Sequence, residues 1–327
     1  MKEKVSFTFP SLTRITSFIL LILLAGVLTL VSQTWVGNVT RYQPDFAEKQ
    51  QILHDAILYN RLPPGQTSWT EMGANGTNTR VATVYFAEAL HRITNLSILK
   101  VYWMIDTVAL FVTFLLLFAY LRQTSSPIYS LVGLLYVAAI LPLTYLFAYF
   151  HPWDRVSLVC WIALLILLRS ERLVSFTFLL AVSITVKYDT LLLPGLYFLA
   201  NVTWDNWPRI ALRSALMFAV SFGTWIGMRL FLPGGFEERH ILAQLFRNLG
   251  DFRSTLFSYP PLLGFLIPMI LAFAALRWAD RFSRASVWFG VLLFVPLIIA
   301  TNFMEIRAEM PILILLLPSA LMALRSL

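Results

Sequence analysis

Long apolar runs recur along the whole sequence and limit what the chain can fold into. Ile98–Leu121 contains only two charged residues, Lys100 and Asp106. A helix needs about 20 mostly apolar residues to cross a hydrocarbon layer about 30 Å thick. Only helices and closed barrels satisfy the backbone hydrogen bonds there, and runs this long favour helices. The sequence therefore predicts an all-α, polytopic integral membrane protein.

Composition agrees with this prediction. Hydrophobic residues make up 58% of the 327 residues and charged residues 13%, whereas soluble domains average about 45–50% and about 25%. The net charge of +8 fits basic cytoplasmic loops, and no nucleic-acid partner is predicted. The single cysteine, Cys160, lies in an apolar run and excludes an intrachain disulfide.

The apolar runs predict about ten membrane crossings in a single transmembrane domain, residues 1–327, with both termini in the cytoplasm. Two of the crossings are half-spans within one interrupted segment. The predicted spans are Ser17–Trp35, Ile98–Leu121, Ile128–Phe150, Val156–Leu168, Leu173–Ala200 as the two half-spans, Ala211–Phe231, Pro261–Leu276, Val287–Phe303 and Pro311–Leu324.

The interrupted segment, Leu173–Ala200, has Lys187, Tyr188 and Asp189 near its middle. It is either one long span or two half-spans that turn at this tripeptide. Charges buried in mid-bilayer would cost roughly several kcal/mol. Two half-spans also place in the cytoplasm the four short connections with net positive charge, as the positive-inside rule expects. These connections carry Arg122, Arg169 and Arg172, Arg209 and Arg213, and Arg277, Arg281 and Arg284. The sequence therefore favours the half-spans.

The longest polar segment, residues 37–96, follows the first span and is predicted to be an extracytoplasmic loop. Connections longer than about 12–15 residues are usually functional or disordered. Within this loop Asp45–Tyr59 and Arg80–Ile93 have apolar residues at helical spacing. We expect both to form amphipathic helices along the membrane surface.

This topology brings ionisable residues from separate parts of the chain to the extracytoplasmic face. Its turns and loops contain Asp45, Asp55, Arg80, His151, Asp154, Lys187, Asp189, Glu305 and Arg307. Ionisable residues within a membrane are functional candidates by default. For residues at the membrane edge that argument is weaker. The competing interpretation is that such turns are simply polar and that their opposite charges neutralise one another locally.

Carboxylates and fixed cations beside lipid suit a lipid-linked phosphate sugar. Lys187, Arg307 and Arg80 are predicted to hold the donor phosphate, while a carboxylate deprotonates the acceptor hydroxyl. His151, Asp189 and Glu305 are predicted to orient the acceptor or the cations. No cofactor is required, although a divalent ion held by Asp45, Asp154 and Glu305 remains an alternative.

The layout resembles the GT-C superfamily of polyprenyl-phosphate-sugar-dependent membrane glycosyltransferases. The features that carry the resemblance are a first span, a long outer loop with surface helices and an early acidic residue, and then many spans with short connections. The turns His151-Pro152-Trp153-Asp154, Lys187-Tyr188-Asp189 and Glu305-Ile306-Arg307 are similar to turns in bacterial members of this type.

The resemblance implies a site on the extracytoplasmic side of the plasma (inner) membrane and a catalytic base in the first outer loop. Asp45 matches that position best, within Pro44-Asp45-Phe46-Ala47-Glu48. Asp55 and Asp154 are the other catalytic candidates. The expected partners are a polyprenyl-phosphate sugar and membrane lipid. A transporter or flippase for an anionic lipid or solute is the alternative, and a non-catalytic envelope scaffold is a third.

Overall fold

A computed structural model describes residues 12–41, 45–62, 65, 80–145, 151, 153–232, 245–246, 248–250, 260–300 and 306–326. The regular structure in these residues is helical, with no strand among them. The α-helices are α1 (Leu12–Arg41), α2 (Phe46–Tyr59), α3 (Val81–Thr94), α4 (Ile98–Leu121), α5 (Pro127–Ile140), α6 (Asp154–Arg169), α7 (Leu173–Val186), α8 (Leu193–Asn201), α9 (Trp207–Phe231), α10 (Pro260–Ala274), α11 (Arg281–Ala300) and α12 (Ile306–Ser326). Two 3₁₀ helices, Leu141–Tyr145 and Tyr188–Leu192, lie between them.

Five segments of the described residues are long and apolar enough to cross a membrane. They are Ile15–Trp35, Ile98–Leu121, Pro127–Thr144, Trp207–Phe231 and Glu309–Ser326. Two further apolar helical segments, Leu173–Val186 and Gly264–Ala274, are shorter. The prediction of an all-helical membrane protein is confirmed at this level.

The helices differ sharply in how far the protein surrounds them. In the most apolar part of α12, 78% of the residues are buried, against 17% in that of α1. The helix α12 therefore runs through the centre of the bundle, packed against α10 and α11. The helix α1 lies at the periphery, where the Gln33 side chain donates a hydrogen bond of 2.7 Å to Asp106 on α4.

The helical segment predicted at Leu173–Ala200 breaks at the charged tripeptide. The helix α7 ends at Val186, and Lys187 takes an extended backbone with φ −163°. A 3₁₀ turn over Tyr188–Leu192 follows before α8 begins. Pro194 lies in the first turn of α8, where its missing N–H costs no helical hydrogen bond. The break therefore places Lys187 and Asp189 at a turn.

The helices predicted in the first loop are also present. The helix α2 starts one residue after the predicted Asp45 and ends at the predicted Tyr59, while α3 covers Val81–Thr94. The first helix continues to Arg41, past the predicted end at Trp35 and into the segment assigned to the loop. The first strong helix breaker after Trp35 is Pro44, which also disfavours helix in the residue before it.

Candidate functional site

Three charged side chains meet where α6 begins and α7 ends. Lys187 Nζ lies 3.1 Å from Asp154 Oδ1 and 3.3 Å from Asp189 Oδ2. The Ser157 hydroxyl lies 3.1 and 3.2 Å from the two oxygens of Asp189 and donates to that carboxylate. The helices α6 and α7 are joined by a three-residue turn and pack together, so the start of one lies beside the end of the other. Arg80, Asp154, Ser157, Lys187 and Asp189 are called the Lys187 cluster below.

The ammonium group of Lys187 is held in its charged form. Burial and the nearby guanidinium of Arg80 lower the pKa of Lys187, but the carboxylates of Asp154 and Asp189 raise it by more, so the net shift is upward. The side chains of Lys187 and Asp154 are only 16% and 12% exposed. A buried lysine is stable in its charged form only when carboxylates such as these pair with it.

Arg80 reaches this cluster from the first loop. It immediately precedes α3, and its guanidinium carbon lies 4.9 Å from the ring centroid of Trp153. The ring of Trp153 also stacks on His151, with 5.2 Å between centroids. Arg80 Nε is buried and has no hydrogen-bond partner among the described residues. An arginine with an unpaired N–H group can still donate a hydrogen bond to an anion.

Apolar packing fixes the loop helices over this site. Trp153 is fully buried and contacts a cluster formed by Ala56 and Ile57 of α2, Val84 of α3 and Val186 of α7. Four separate segments therefore share one small core next to Lys187. Buried aromatic rings contribute much of the packing in such a core. Because the guanidinium of Arg80 also contacts the ring of Trp153, this ring joins Arg80 to the core.

A second polar network joins α2, α3 and α4. His54 lies 2.7 Å from the hydroxyl of Tyr102 and 3.3 Å from Glu88, which pairs with Arg92 at 2.6 Å. Burial lowers the pKa of His54, against the opposing effects of Glu88 and Asp55. The hydrogen bond from Arg92 is the main reason that the pKa of Glu88 is lowered. This network ties the loop helices to the bundle.

The predicted loop carboxylates lie outside the Lys187 cluster. Asp45 is exposed and directly precedes α2, and Asp55 accepts a hydrogen bond of 2.9 Å from Gln51. In the described residues no ion pair or hydrogen bond joins either carboxylate to the cluster. Asp45 is eleven residues before Ala56, which is about 16 Å along the helix axis.

The remaining predicted residues divide into two groups. His151 stacks on Trp153 at the edge of the cluster. Glu305 lies outside the described residues, and Arg307 belongs to the first turn of α12 by its backbone. The structure thus brings together Arg80, His151, Asp154, Lys187 and Asp189.

Several residues at the site were not among the predicted site residues. Ser157, one turn after Asp154, could have been found from its i+3 spacing. Arg155 is 3% exposed and donates to Thr144 Oγ1 at 2.9 Å. A small cavity is lined by both residues together with Asp154, Leu158, Trp161, Lys187, Asp189, Met310 and Pro311. The guanidinium of Arg229 lies 5.7 Å from the ring centroid of Tyr188, a contact that no local pattern predicts.

A divalent ion held by Asp45, Asp154 and Glu305 stays a prediction, since Glu305 lies outside the described residues. Within the described residues, no group of three His, Cys, Asp or Glu residues could hold an ion. Of the alternative ligand set, Asp154 is paired with Lys187, and Asp45 lies at the far end of α2 from the residues that pack over the cluster.

No protein-family model, curated protein or solved structure matches the chain. The geometry of the Lys187 cluster is therefore the basis for assigning a function.

Proposed function

We propose that the chain is a membrane glycosyltransferase that moves a sugar from a polyprenyl-phosphate donor to an extracytoplasmic acceptor. The observation that carries this proposal is the meeting of Arg80 and Lys187, from separate parts of the chain, at one end of the helices. The proposal includes about ten crossings, with half-spans on either side of Lys187, and a site on the outer face of the plasma membrane.

The charges of the cluster suit a phosphate. Arg80 and Lys187 offset Asp154 and Asp189, and the buried Arg155 that lines the adjoining cavity adds one positive charge. A planar guanidinium can give two parallel hydrogen bonds to phosphate oxygens. Lys187 is fixed by its carboxylates before any ligand arrives, which lowers the entropy lost on binding.

The reaction follows from these roles. A carboxylate takes the proton of the acceptor hydroxyl, and the oxygen attacks the anomeric carbon of the sugar. The bond from that carbon to the phosphate oxygen breaks, and its electron pair leaves with the polyprenyl phosphate. Arg80 and Lys187, with Arg307 as the third proposed cation, stabilise the phosphate as it leaves. No acid catalyst is then needed.

The base is assigned to Asp45, with Asp55 and Asp154 as alternatives. Asp45 and Asp55 belong to the loop that covers the cluster and are exposed or half-buried, so an acceptor from the aqueous side can reach them. Asp154 is already in the cluster, but its ion pair with Lys187 favours an orienting role. His151, Asp189 and Glu305 are proposed to orient the acceptor or the cations.

A transporter for an anionic lipid or solute is the second candidate, because the helix breaks at Lys187. Transporters use broken helices, with their ionisable residues near the bilayer midplane. The proposed topology instead puts Asp154 and Lys187 together at one membrane face, as their positions at helix ends allow. That clustering favours the glycosyltransferase.

The deciding experiment is sugar transfer by purified protein in detergent. A panel of polyprenyl-phosphate sugars is offered with envelope extracts as acceptors, and release of free polyprenyl phosphate is measured. We expect release with at least one donor and its loss in Asp45→Asn. Folded protein that turns over no donor, but moves an anionic lipid across vesicles, would overturn the proposal in favour of the transporter.

A further inference from the structure

A partly polar cavity of about 410 Å³ lies between the start of α7, the end of α8 and the start of α9. The helix α7 begins at Leu173 and ends at Val186, beside Lys187, so about 20 Å of helix separates this cavity from the Lys187 cluster. Ligand pockets usually have volumes of about 300–1,000 Å³, and this cavity is large enough for a small polar group. Its lining residues are Glu171, Leu173, Val174, Tyr197, Asn201, Ile210 and Arg213.

The lining of the cavity includes one cationic and one anionic side chain. Arg213 is half-buried on α9, and Glu171 is exposed in the turn between α6 and α7. In the part of the chain that the structure describes, neither side chain takes part in a hydrogen bond or an ion pair. The guanidinium donates hydrogen bonds and the carboxylate accepts them. A ligand that used both groups would therefore combine an anion with an ammonium group.

Glu171 occupies a position that does not favour glutamate. The helix α6 ends at Arg169, and Glu171 follows it with φ 55°, in the left-handed region. Helices commonly have glycine or asparagine at such a position, and the carbonyl groups at a helix C-terminus repel a negative charge. A cationic ligand group therefore explains this carboxylate better than stabilisation of α6 does.

Exposed apolar side chains continue from the cavity along two helices. On α7, Phe178 follows Val174 after one turn, and both are exposed. On α9, Leu216 and Val220 follow Arg213 at spacings of three and four residues, and both are also exposed. Residues at these spacings share one face of a helix. A ligand in the cavity therefore has an apolar surface next to its polar group, along helices that the membrane surrounds.

Two exposed tryptophans lie at the same end of the bundle. Trp204 is 94% exposed in the turn between α8 and α9, and Trp207 is the first residue of α9. Tryptophan is enriched at the level of the lipid headgroups. The cavity is formed by the same helix ends, so we expect it to lie at headgroup level too.

We propose that this cavity binds the headgroup of a membrane phospholipid whose phosphate carries a primary amine, as in phosphatidylethanolamine. Arg213 binds the phosphate, Glu171 accepts hydrogen bonds from the ammonium group, and the acyl chains lie along α7 and α9. Soluble phosphoethanolamine has the same two charged groups, but the exposed apolar rows favour the lipid. The proposal does not depend on the glycosyltransferase, because the cavity shares no residue with the Lys187 cluster.

The direct test is lipid binding to the purified, delipidated protein in detergent, measured by native mass spectrometry. Phosphatidylethanolamine, phosphatidylcholine and phosphatidylglycerol with identical acyl chains are titrated separately. We expect the ethanolamine lipid to bind at one site at least about tenfold more tightly than the choline lipid, whose quaternary ammonium has no N–H to donate. Equal affinities, or tighter binding of the glycerol lipid through the exposed Arg172 and Arg209, would overturn the proposal.

Two single substitutions test the assigned roles. Glu171→Gln should remove the preference for the ethanolamine lipid over the choline lipid. Arg213→Gln should weaken binding of both lipids about tenfold, because charge-assisted hydrogen bonds to the phosphate are lost. The matched control is Arg209→Gln, since Arg209 is exposed, lies one turn before Arg213 and does not line the cavity. Equal losses in Arg209→Gln and Arg213→Gln would refute the cavity as the binding site.

Soluble phosphoethanolamine, added as a competitor, distinguishes the two sources of the headgroup. We expect it to displace the bound lipid only in large excess, because it lacks the acyl chains. Displacement at concentrations equal to those of the lipid would overturn the assignment to a phospholipid.

Discussion

Arg80 lies over the indole ring of Trp153, with 4.9 Å between its guanidinium carbon and the ring centroid. This contact joins the start of α3, in the first loop, to the residue before α6. A cation above an aromatic ring gains about 0.5–2 kcal/mol, depending on how far it is desolvated. The contact fixes the guanidinium beside Lys187 while leaving its hydrogen-bond donors for a ligand.

Arg80→Ala should weaken binding of a polyprenyl phosphate about tenfold to a hundredfold. The physical reason is the loss of charge-assisted hydrogen bonds, which contribute about 1.5–3 kcal/mol. Arg80→Lys should recover only part of the affinity, because an ammonium cannot give two parallel bonds. The measurement is a competition binding assay in nanodiscs.

The matched control for Arg80 is Arg92→Ala. Arg92 lies near the end of α3, the helix that Arg80 immediately precedes. Its side chain is 70% exposed and pairs with Glu88. Its removal should leave phosphate binding unchanged. Equal losses in the two variants would mean that Arg80 acts only through the general positive charge of the loop.

Lys187→Met should destabilise the protein by about 1–3 kcal/mol, between the values for surface and buried ion pairs. The substitution leaves Asp154 and Asp189 close together without their cation. Adding Asp154→Asn and Asp189→Asn to Lys187→Met should restore most of the loss. Thermal unfolding in detergent measures both effects. Lys100→Met, at an exposed position of α4, is the control and should have little effect.

His54 should make stability depend on pH below about 6.5. Burial lowers the pKa of His54, so below about pH 6.5 the unfolded chain takes up a proton that the folded protein does not. Stability should therefore fall as the pH falls through this window, by up to about 1.4 kcal/mol per pH unit. The pKa of Glu88 is lowered, chiefly by Arg92, and its contribution is lost only at lower pH.

The measurement is the unfolding temperature at pH 7 and pH 5 for the unmodified protein and for His54→Gln. The variant cannot take up the proton, so its unfolding temperature should depend less on pH in this window. An identical dependence in the two proteins would show that another group is responsible.

Asp45→Asn should lower the rate of sugar transfer by about 10²–10⁴-fold, the range for loss of a general base. The substitution is a clean test because Asp45 has φ 60°, a left-handed conformation that asparagine also adopts. Donor affinity should stay normal. Single-turnover transfer and donor binding are measured together.

Asp55→Asn is the companion variant to Asp45→Asn. Among the described residues the half-buried Asp55 accepts a hydrogen bond from Gln51, which an asparagine oxygen can also accept. If transfer survives in Asp45→Asn and is lost in Asp55→Asn, the base is Asp55. Survival in both would direct attention to Asp154.

The local elements were predictable because they depend on spacing within short segments. The apolar stripe of Arg80–Ile93 matches α3, and the apolar run Ile98–Leu121 matches α4. Lys187 and Asp189 interrupt an apolar run, and the helix breaks there. Charged groups are too costly to bury unpaired, so the sequence itself marks the turn.

The composition of the site was predictable only in part. Arg80, His151, Asp154, Lys187 and Asp189 were selected from the sequence because each lies at a polar turn or loop. How these residues group, and why no described hydrogen bond or ion pair joins Asp45 or Asp55 to them, depends on how α2 and α3 lie on the bundle. Trp153 is part of the core that these helices share, and no local pattern indicates its burial.

The sequence by itself determined that this chain is helical, that it belongs in a membrane and where its polar turns fall. The reason is that hydropathy and helical periodicity act over neighbouring residues and need no tertiary contact. Only the tertiary structure decided that Arg80 meets Lys187 and that Glu171 and Arg213 line one cavity. These relationships join residues far apart in the sequence, and they depend on which helix faces pack together.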